Sequence, residues 1–349
     1  MRALREAEKR LLQSQDTKTY LGLAGDTGFN AAMAKLTFGD KADLSRVRTA
    51  QAPGGSGALR LVAELLKRTR ADATVWLSDP TWPNHMPVMR AAGLQIRDYP
   101  YFDAASGAVR FKDMLAALRT AERGDVVLLH GCCHNPTGAN LDAAQWAEVA
   151  DLVVERGLLP FVDIAYQGFG EGLDADAAGL RLLAARVPEM LVASSCSKNF
   201  AVYRDRVGAA MILARDGAEA DVAMSQMLSA ARAMYSMPPD HGAAAVRIVL
   251  EDDGLRADWQ AELEEMRLRM LRLRIAFAEA LRRQSNSDRF DFVASHRGMF
   301  SRLGLSEAQV ERLRTEHAVY MVGDSRINVA GLPEDGMDAL AKAIVSVLD

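Results

Sequence analysis

A chain of 349 residues, 49% hydrophobic and 25% charged, holds enough apolar material for a sizeable core, and its length suggests a large domain with a smaller one, or two domains. The formal net charge of −4 and isoelectric point near 5.9 lack the basic field that nucleic acid demands, and no polybasic run marks a membrane surface. Three cysteines, Cys132, Cys133 and Cys196, cannot all pair; with apolar runs too short to span a bilayer and no apolar leader, they fit the reducing cytoplasm.

The first fifteen residues read as an amphipathic helix, with Leu4, Ala7, Leu11 and Leu12 on one side and no capping side chain before it. From about residue 55 to 215, short apolar runs alternate with helical patterns. Strands are expected at Thr74–Ser78, Leu94–Tyr99, Val126–His130, Leu159–Asp163, Leu191–Ser194 and Val207–Leu213. Helices are expected at Leu59–Thr69, Met114–Ala121 and Ala143–Arg156. Such alternation predicts an α/β domain with a largely parallel sheet, and the unbroken apolar run Val126–Leu129 suits a strand buried on both faces. Between Leu255 and Arg283, apolar residues recur at helical spacing, which predicts one long helix leading to a smaller C-terminal unit. That unit runs through Phe290–Ala294, a helix from Ser306 to His317, Arg326–Val329 and a closing helix from Glu334. Ser306 followed by Gln309 has capping-box spacing.

In an open α/β sheet, ligands gather at the carboxyl ends of the strands. Asp163 ends one apolar run; a buried acid there is either a cap or ion-pair partner, or the counter-charge of a cationic ligand atom. Ser194–Phe200 follows the next strand, and its hydroxyls and amides could hold a phosphate beside Lys198. A lysine that sheds its proton can form a Schiff base; the alternative is an ordinary surface lysine. Arg206, eight positions on, suits a phosphate or a surface ion pair. Gly54-Gly55-Ser56-Gly57 opens a helix, as anion-binding turns do, but it is neither a Walker A loop nor a dinucleotide fingerprint. His130, Cys132, Cys133 and His134 invite a zinc reading, yet no second Cys or His pair completes it. Asn135, before Pro-Thr-Gly, reads as a positioned amide. Trp82 is either core or a flat ring stacked on an aromatic cofactor.

Seven blocks occur in order along essentially the whole chain: PGGSGALR, SDPTWPNH, HNPTG, DIAYQGF, SCSKNF–x4–DRVG, RAMYSMPP and SRINVAG. Together they resemble the aspartate/aromatic aminotransferases, a class I group with the fold-type I pyridoxal-phosphate architecture. The resemblance implies a large domain over residues 1–265, with a mostly parallel seven-stranded sheet flanked by helices. It implies a smaller α+β domain over 266–349. The expected activity is transfer of an amino group between an amino acid and 2-oxoglutarate, in ping-pong order. Pyridoxal 5′-phosphate would be carried as an aldimine on Lys198, which also shuttles the proton at Cα. Asp163 would keep the pyridine nitrogen protonated, with His85 behind it. Tyr166 and Asn135 would meet the phenolic oxygen, and Trp82 would stack on the ring. Gly55, Ser56, Ser195, Ser197 and Arg206 would hold the phosphate, helped by Tyr20 and Ser236 from the other subunit of a homodimer. Arg326 would clamp the substrate's α-carboxylate, and Arg232 would reach across to a side-chain carboxylate. Trp82 and Asn135 also border the substrate.

The chain departs from that pattern in three places. It opens at the helix after the family's N-terminal arm and lid, so reduced or absent activity is one expectation. Ser56, Thr19 and Met237 stand where aspartate-selective relatives tend to have Thr, Asn and Asn, which resembles the aromatic-accepting branch. With Arg232 retained, glutamate and 2-oxoglutarate are expected as the shared pair, with tyrosine, phenylalanine or aspartate as the other donor. Arg302 follows Phe300 where the family is more apolar. Rival readings are a β-lyase of the same fold type, which the retained Arg232 and Arg326 disfavour, and a truncated, weakly active paralogue. A regulator built on this domain would need a DNA-binding helix and a basic face, and the sequence has neither.

Overall fold

The computed structural model describes residues 1–348. Its strands in chain order are β1 (Val47–Pro53), β2 (Thr74–Asp79), β3 (Gln95–Pro100), β4 (Phe102–Asp103), β5 (Ala108–Val109), β6 (Val126–His130), β7 (Leu159–Ile164), β8 (Met190–Ser195), β9 (Val207–Leu213), β10 (Phe300–Arg302) and β11 (Arg326–Asn328). Seven of them form one sheet in the order β1-β9-β8-β7-β6-β2-β3. The pairs from β8 across to β3 are parallel, and β9 runs antiparallel to both its neighbours. All six expected strands are present within a residue or so. The seventh, β1, escaped the sequence reading because Arg48, Thr49 and Gln51 interrupt its apolar residues; it lies at the sheet's edge, where only one partner is needed.

Period-two alternation places successive residues of one strand in different layers. Val126 and Leu128 join the core on one face of the sheet, while Val127 and Leu129 join the core on the other. Helices cover both faces, which is why the strands read as unbroken apolar runs. The helix Ala143–Arg156 is bounded by a capping box of Asp142 and Gln145 and stops at Gly157, whose φ of 63° suits glycine.

The long helix is Asp253–Ser285, 33 residues or roughly 50 Å at 1.5 Å per residue. Its buried stripe includes Leu255, Trp259, Leu263, Met270, Leu273, Phe277 and Leu281. Near its start, Trp259 stacks on Phe200 with ring centres 4.4 Å apart and donates from Nε1 to the Asn199 carbonyl at 2.7 Å. The helix therefore braces the turn that carries Lys198. Beyond it, β10 and β11 pair antiparallel, and the capping box of Ser306 and Gln309 starts the Glu307–His317 helix. Residues 292–295 are a short helix, and the closing helix is Met337–Ser346. No helix among the described residues is long and apolar enough to cross a membrane.

Candidate active site

Strands β6, β7 and β8 end side by side, so His130, Asp163 and Ser195 reach one edge of the sheet. There a cavity of about 230 Å³ is lined by Gly55, Ser56, Trp82, Asn135, Asp163, Tyr166, Ser195, Ser197, Lys198 and Arg206, all expected from the sequence. His130, Cys132, Leu59, Ala165 and Tyr203 complete the wall.

One end of the cavity is built for an anion. The helix Gly54–Thr69 starts with no side-chain cap, so its first amides are not taken by its own N-cap residue. Gly54 has φ +72°, and a Cβ there would stand 2.6 Å from the Arg206 guanidinium. A Cβ on Gly55 would lie 2.9 Å from Cβ of Ser195. The two glycines let the helix start, Arg206 and the Ser195–Ser197 hydroxyls share one cradle. Arg206 is steadied by donating to the Tyr203 carbonyl at 3.0 Å.

The other end is acidic and buried. Asp163 Oδ2 lies 2.9 Å from His85 Nε2, and His85 is fully buried. Burial pushes the Asp163 carboxyl up, but the His85 hydrogen bond and the nearby Lys198 cation outweigh it and hold the group below its ordinary range. Behind His85, the Thr81 hydroxyl meets His85 Nδ1 at 2.7 Å and His130 Nε2 at 3.1 Å. Burial, reinforced by His85, drives His130 down to about 3, and His134 is likewise held well below its ordinary value. These two imidazoles are neutral at physiological pH, so the carboxylate keeps its charge for whatever enters the cavity.

Between the ends lie the reactive groups. Lys198 Nζ sits 4.8 Å from the centre of the Tyr166 ring. Burial lowers its pKa from the ordinary 10.5; Asp163 opposes the shift and Arg206 adds to it. Burial also raises the Tyr166 phenol, with Asp163 adding to the effect. Asn135 Nδ2 donates to the Tyr166 hydroxyl at 3.3 Å, and Arg326 Nη1 donates to Asn135 Oδ1 at 3.2 Å. Arg326 also lies 4.7 Å above the Phe300 ring, which meets Tyr166 edge-on. Trp82 meets His85 edge-to-face at 5.4 Å and leaves a face available to the cavity.

Tyr20, Arg232 and Ser236 do not join this cluster. All three are exposed in the single chain, Tyr20 at 89%. Arg302 turns away to the Asp324 carbonyl at 2.9 Å, although it pairs in register with Arg326 across β10 and β11. The Thr81–His130 link and Tyr203 went unread in the sequence. Each had a signal of place, since Tyr203 lies between Lys198 and Arg206 and Thr81 directly precedes Trp82 in the SDPTWPNH block. Cys132, Cys133 and Asp176 gather ligand-type atoms within 4.8 Å. That carboxylate already accepts from the amides of Gly168, Gly170 and Glu171, and the hydrogen bond with Cys133 together with burial keeps Cys132 protonated, so the cluster reads as packing.

The donor set fits pyridoxal phosphate: an anion cradle, a carboxylate for a pyridinium nitrogen, an aromatic wall and an amine of lowered pKa share one cavity. Comparison with known proteins agrees. Residues 1–344 match the family model described as aminotransferase class I and II. The chain is 52% identical over 347 residues to an aromatic-amino-acid aminotransferase of Paracoccus denitrificans, covering 99% of this chain and 88% of that protein. It is 47% identical over 349 residues to an aspartate aminotransferase of Escherichia coli, with 99% and 88% covered. Among solved structures, an aromatic amino acid aminotransferase with 3-indolebutyric acid superposes with a TM-score of 0.98 at 52% identity, covering 100% of this chain and 89% of that one. An aromatic-amino-acid aminotransferase from Burkholderia pseudomallei, covalently bound to pyridoxal phosphate, gives 0.97 at 45% identity, with 100% and 88% covered.

Proposed function

For a chain that belongs to the class I and II aminotransferases, we propose transamination between 2-oxoglutarate and an aromatic amino acid or aspartate, with pyridoxal phosphate on Lys198. The observation that carries the reading is the meeting of Lys198, Asp163 and Arg206 in one cavity, with Arg326 tied to its rim through Asn135.

When bound, the cofactor supplies a carbonyl for amines and a ring that draws electrons from the substrate's Cα. The protein does the rest. Arg206, Ser56, Ser195, Ser197 and the amides around Gly55 hold the phosphate. Asp163, oriented by His85, holds a proton at the pyridine nitrogen. Trp82 covers one ring face. Asn135 and Tyr166 hydrogen-bond the phenolic oxygen. Arg326 takes the α-carboxylate with its planar fork, orienting the Cα–H bond. Lys198 Nζ, once neutral, would take that proton from Cα and give it back two atoms along, on the far side of the amino nitrogen. The first product leaves as a 2-oxo acid before the second substrate enters.

The exposure of Tyr20, Arg232 and Ser236 supports a homodimer in which each subunit lends them to its neighbour: Tyr20 and Ser236 to the phosphate, Arg232 to a side-chain carboxylate. The three buried, unpaired cysteines support a cytoplasmic location. Residues 1–265 form the cofactor-binding body in this reading, and 266–349 the smaller unit that brings Arg326.

The purified chain, loaded with pyridoxal phosphate, is expected to lose its near-visible absorption on adding glutamate and regain it on adding 2-oxoglutarate. No change with glutamate, aspartate or tyrosine overturns the proposal. The kcat/KM values for tyrosine and aspartate then rank the donors. Arg326→Lys keeps the charge but loses the fork. It is expected to lower kcat/KM by ~10²-fold, as a lost charged hydrogen bond of roughly 3 kcal/mol implies. Steady-state kinetics should show most of the loss in KM for both donor and acceptor.

A further inference from the structure

The inward stripe of the Asp253–Ser285 helix contains one residue that does not belong to an apolar core. Arg274 lies between Met270 and Phe277 and is 1% exposed. No carboxylate is among its hydrogen-bond partners. Its two terminal nitrogens donate instead to Val293 O at 3.2 Å, Ser301 Oγ at 2.6 Å, Gly298 O at 2.7 Å and Phe300 O at 2.7 Å. Its Nε has no partner among the described residues. Burial brings the guanidinium down to about 10, which still leaves it charged at neutral pH. Burying a cation against neutral acceptors alone is costly, and an apolar side chain would fill a helix stripe more cheaply. What the arginine provides is a rigid fork that no apolar residue can imitate.

That fork gathers the segment from Val293 to Ser301, which packs without slack on the active-site loops. Arg297 N donates to the Gly138 carbonyl at 2.9 Å. A Cβ on Gly138 would overlap the Phe300 carbonyl, and one on Gly298 would overlap Cys133. His296 links Ser301 Oγ at 3.0 Å to the Gly107 carbonyl at 2.8 Å. Near the end of the segment stands Phe300, whose ring lies beneath Arg326 and beside Tyr166.

We propose that Arg274 is a positioning residue for substrate carboxylate: it fixes Phe300, and Phe300 fixes the reach of Arg326 toward Asn135 and the cavity. This rests on the reading of Arg326 as the carboxylate clamp. The arginine touches neither substrate nor cofactor, so its effect is on affinity for carboxylate rather than on the bound cofactor.

The test uses cofactor-loaded protein and succinate, an unreactive dicarboxylate, titrated calorimetrically. Arg274→Lys and Ser301→Ala are compared with Arg326→Lys. Arg274→Lys is expected to raise the succinate Kd and the KM for glutamate at least fivefold, with kcat within about threefold and the cofactor's absorption spectrum unchanged. Ser301→Ala, which leaves the cation in place and removes one acceptor, should shift both in the same direction by a smaller factor. A purely structural arginine would lower the melting temperature without moving Kd or KM. If both variants bind succinate within twofold of the parent while Arg326→Lys loses it, the positioning role is wrong and the clamp stands. If Arg326→Lys also binds normally, the clamp reading fails and this proposal with it. Should Arg274→Lys not fold, Ser301→Ala decides by the same criterion.

Discussion

Lys198→Ala is expected to lower kcat/KM for every amino donor by about 10⁴-fold or more, the upper range for losing a positioned general base and larger still if a covalent anchor goes with it. The side chain is the amine that reaches the middle of the cavity, between the cradle of Arg206 and the carboxylate of Asp163. Arginine cannot substitute as a base, and the neighbouring Tyr166 phenol is pushed up rather than down, so no other group on the wall takes over. Stopped-flow mixing of the loaded variant with glutamate measures the half-reaction alone. Turnover at the parent's rate would rule out the whole catalytic assignment. The same lysine predicts a pH effect on stability. Its folded pKa is lowered, chiefly by burial, so the charged form is disfavoured in the native state. The unfolded chain then binds more protons between the lowered value and 10.5, and stability contributed at this site rises with pH across that window. Lys198→Met should therefore raise the cofactor-free protein's melting temperature most on the acid side of that window. The gain should shrink as pH climbs toward 10.5. A gain independent of pH would mean that the lysine is not desolvated.

Asp163→Asn is expected to cost about 10³-fold in kcat, the scale of losing one preorganised electrostatic partner in a water-poor site. Asparagine fits the same space and can still meet His85, but it carries no charge to hold a proton at a ring nitrogen. The residues behind the carboxylate show how strongly the site is committed to that charge. His85 hydrogen-bonds it at 2.9 Å, and Thr81 links His85 to a neutral His130. Because the change leaves the Arg206 cradle and Arg326 untouched, KM for the donor should move far less than kcat. Single-turnover kinetics with glutamate separates the two. A variant within tenfold of the parent would mean that Asp163 is a structural partner of His85 and no more.

Much of the architecture is legible along the chain. Val126–His130 and Val207–Leu213 are strands at the bounds their apolar runs suggest, since a strand buried on both faces cannot carry a charge mid-run. Ala143–Arg156 is likewise bounded as read, because Asp142, Gln145 and Gly157 are local stop and start signals. The residues lining the cavity were legible for a related reason. Asp163, Asn135 and Lys198 are polar groups placed just where apolar runs end, and strand ends are where such a sheet gathers its ligands.

Other features had no local signal. Edge strand β1 is held by register with β9 and by Gln51, whose fully buried amide accepts from Asp26 N and donates to the Pro239 carbonyl. Arg274 looks like any arginine of a charged helix until its stripe is seen to face inward. Arg302 stood out in the sequence as a charge where the family is more apolar, but its direction toward Asp324 is a matter of tertiary packing.

By itself, then, the sequence determined the order of strands and helices, the turn chemistry and the set of chemically capable side chains, because periodicity, capping and residue type are local properties. Only the tertiary structure decided which of those side chains meet. Asp163 and His85 are 78 positions apart and Asn135 and Arg326 are 191 apart. Contacts at such separations follow from sheet order and from how the long helix seats the C-terminal strands, which no short stretch of chain encodes.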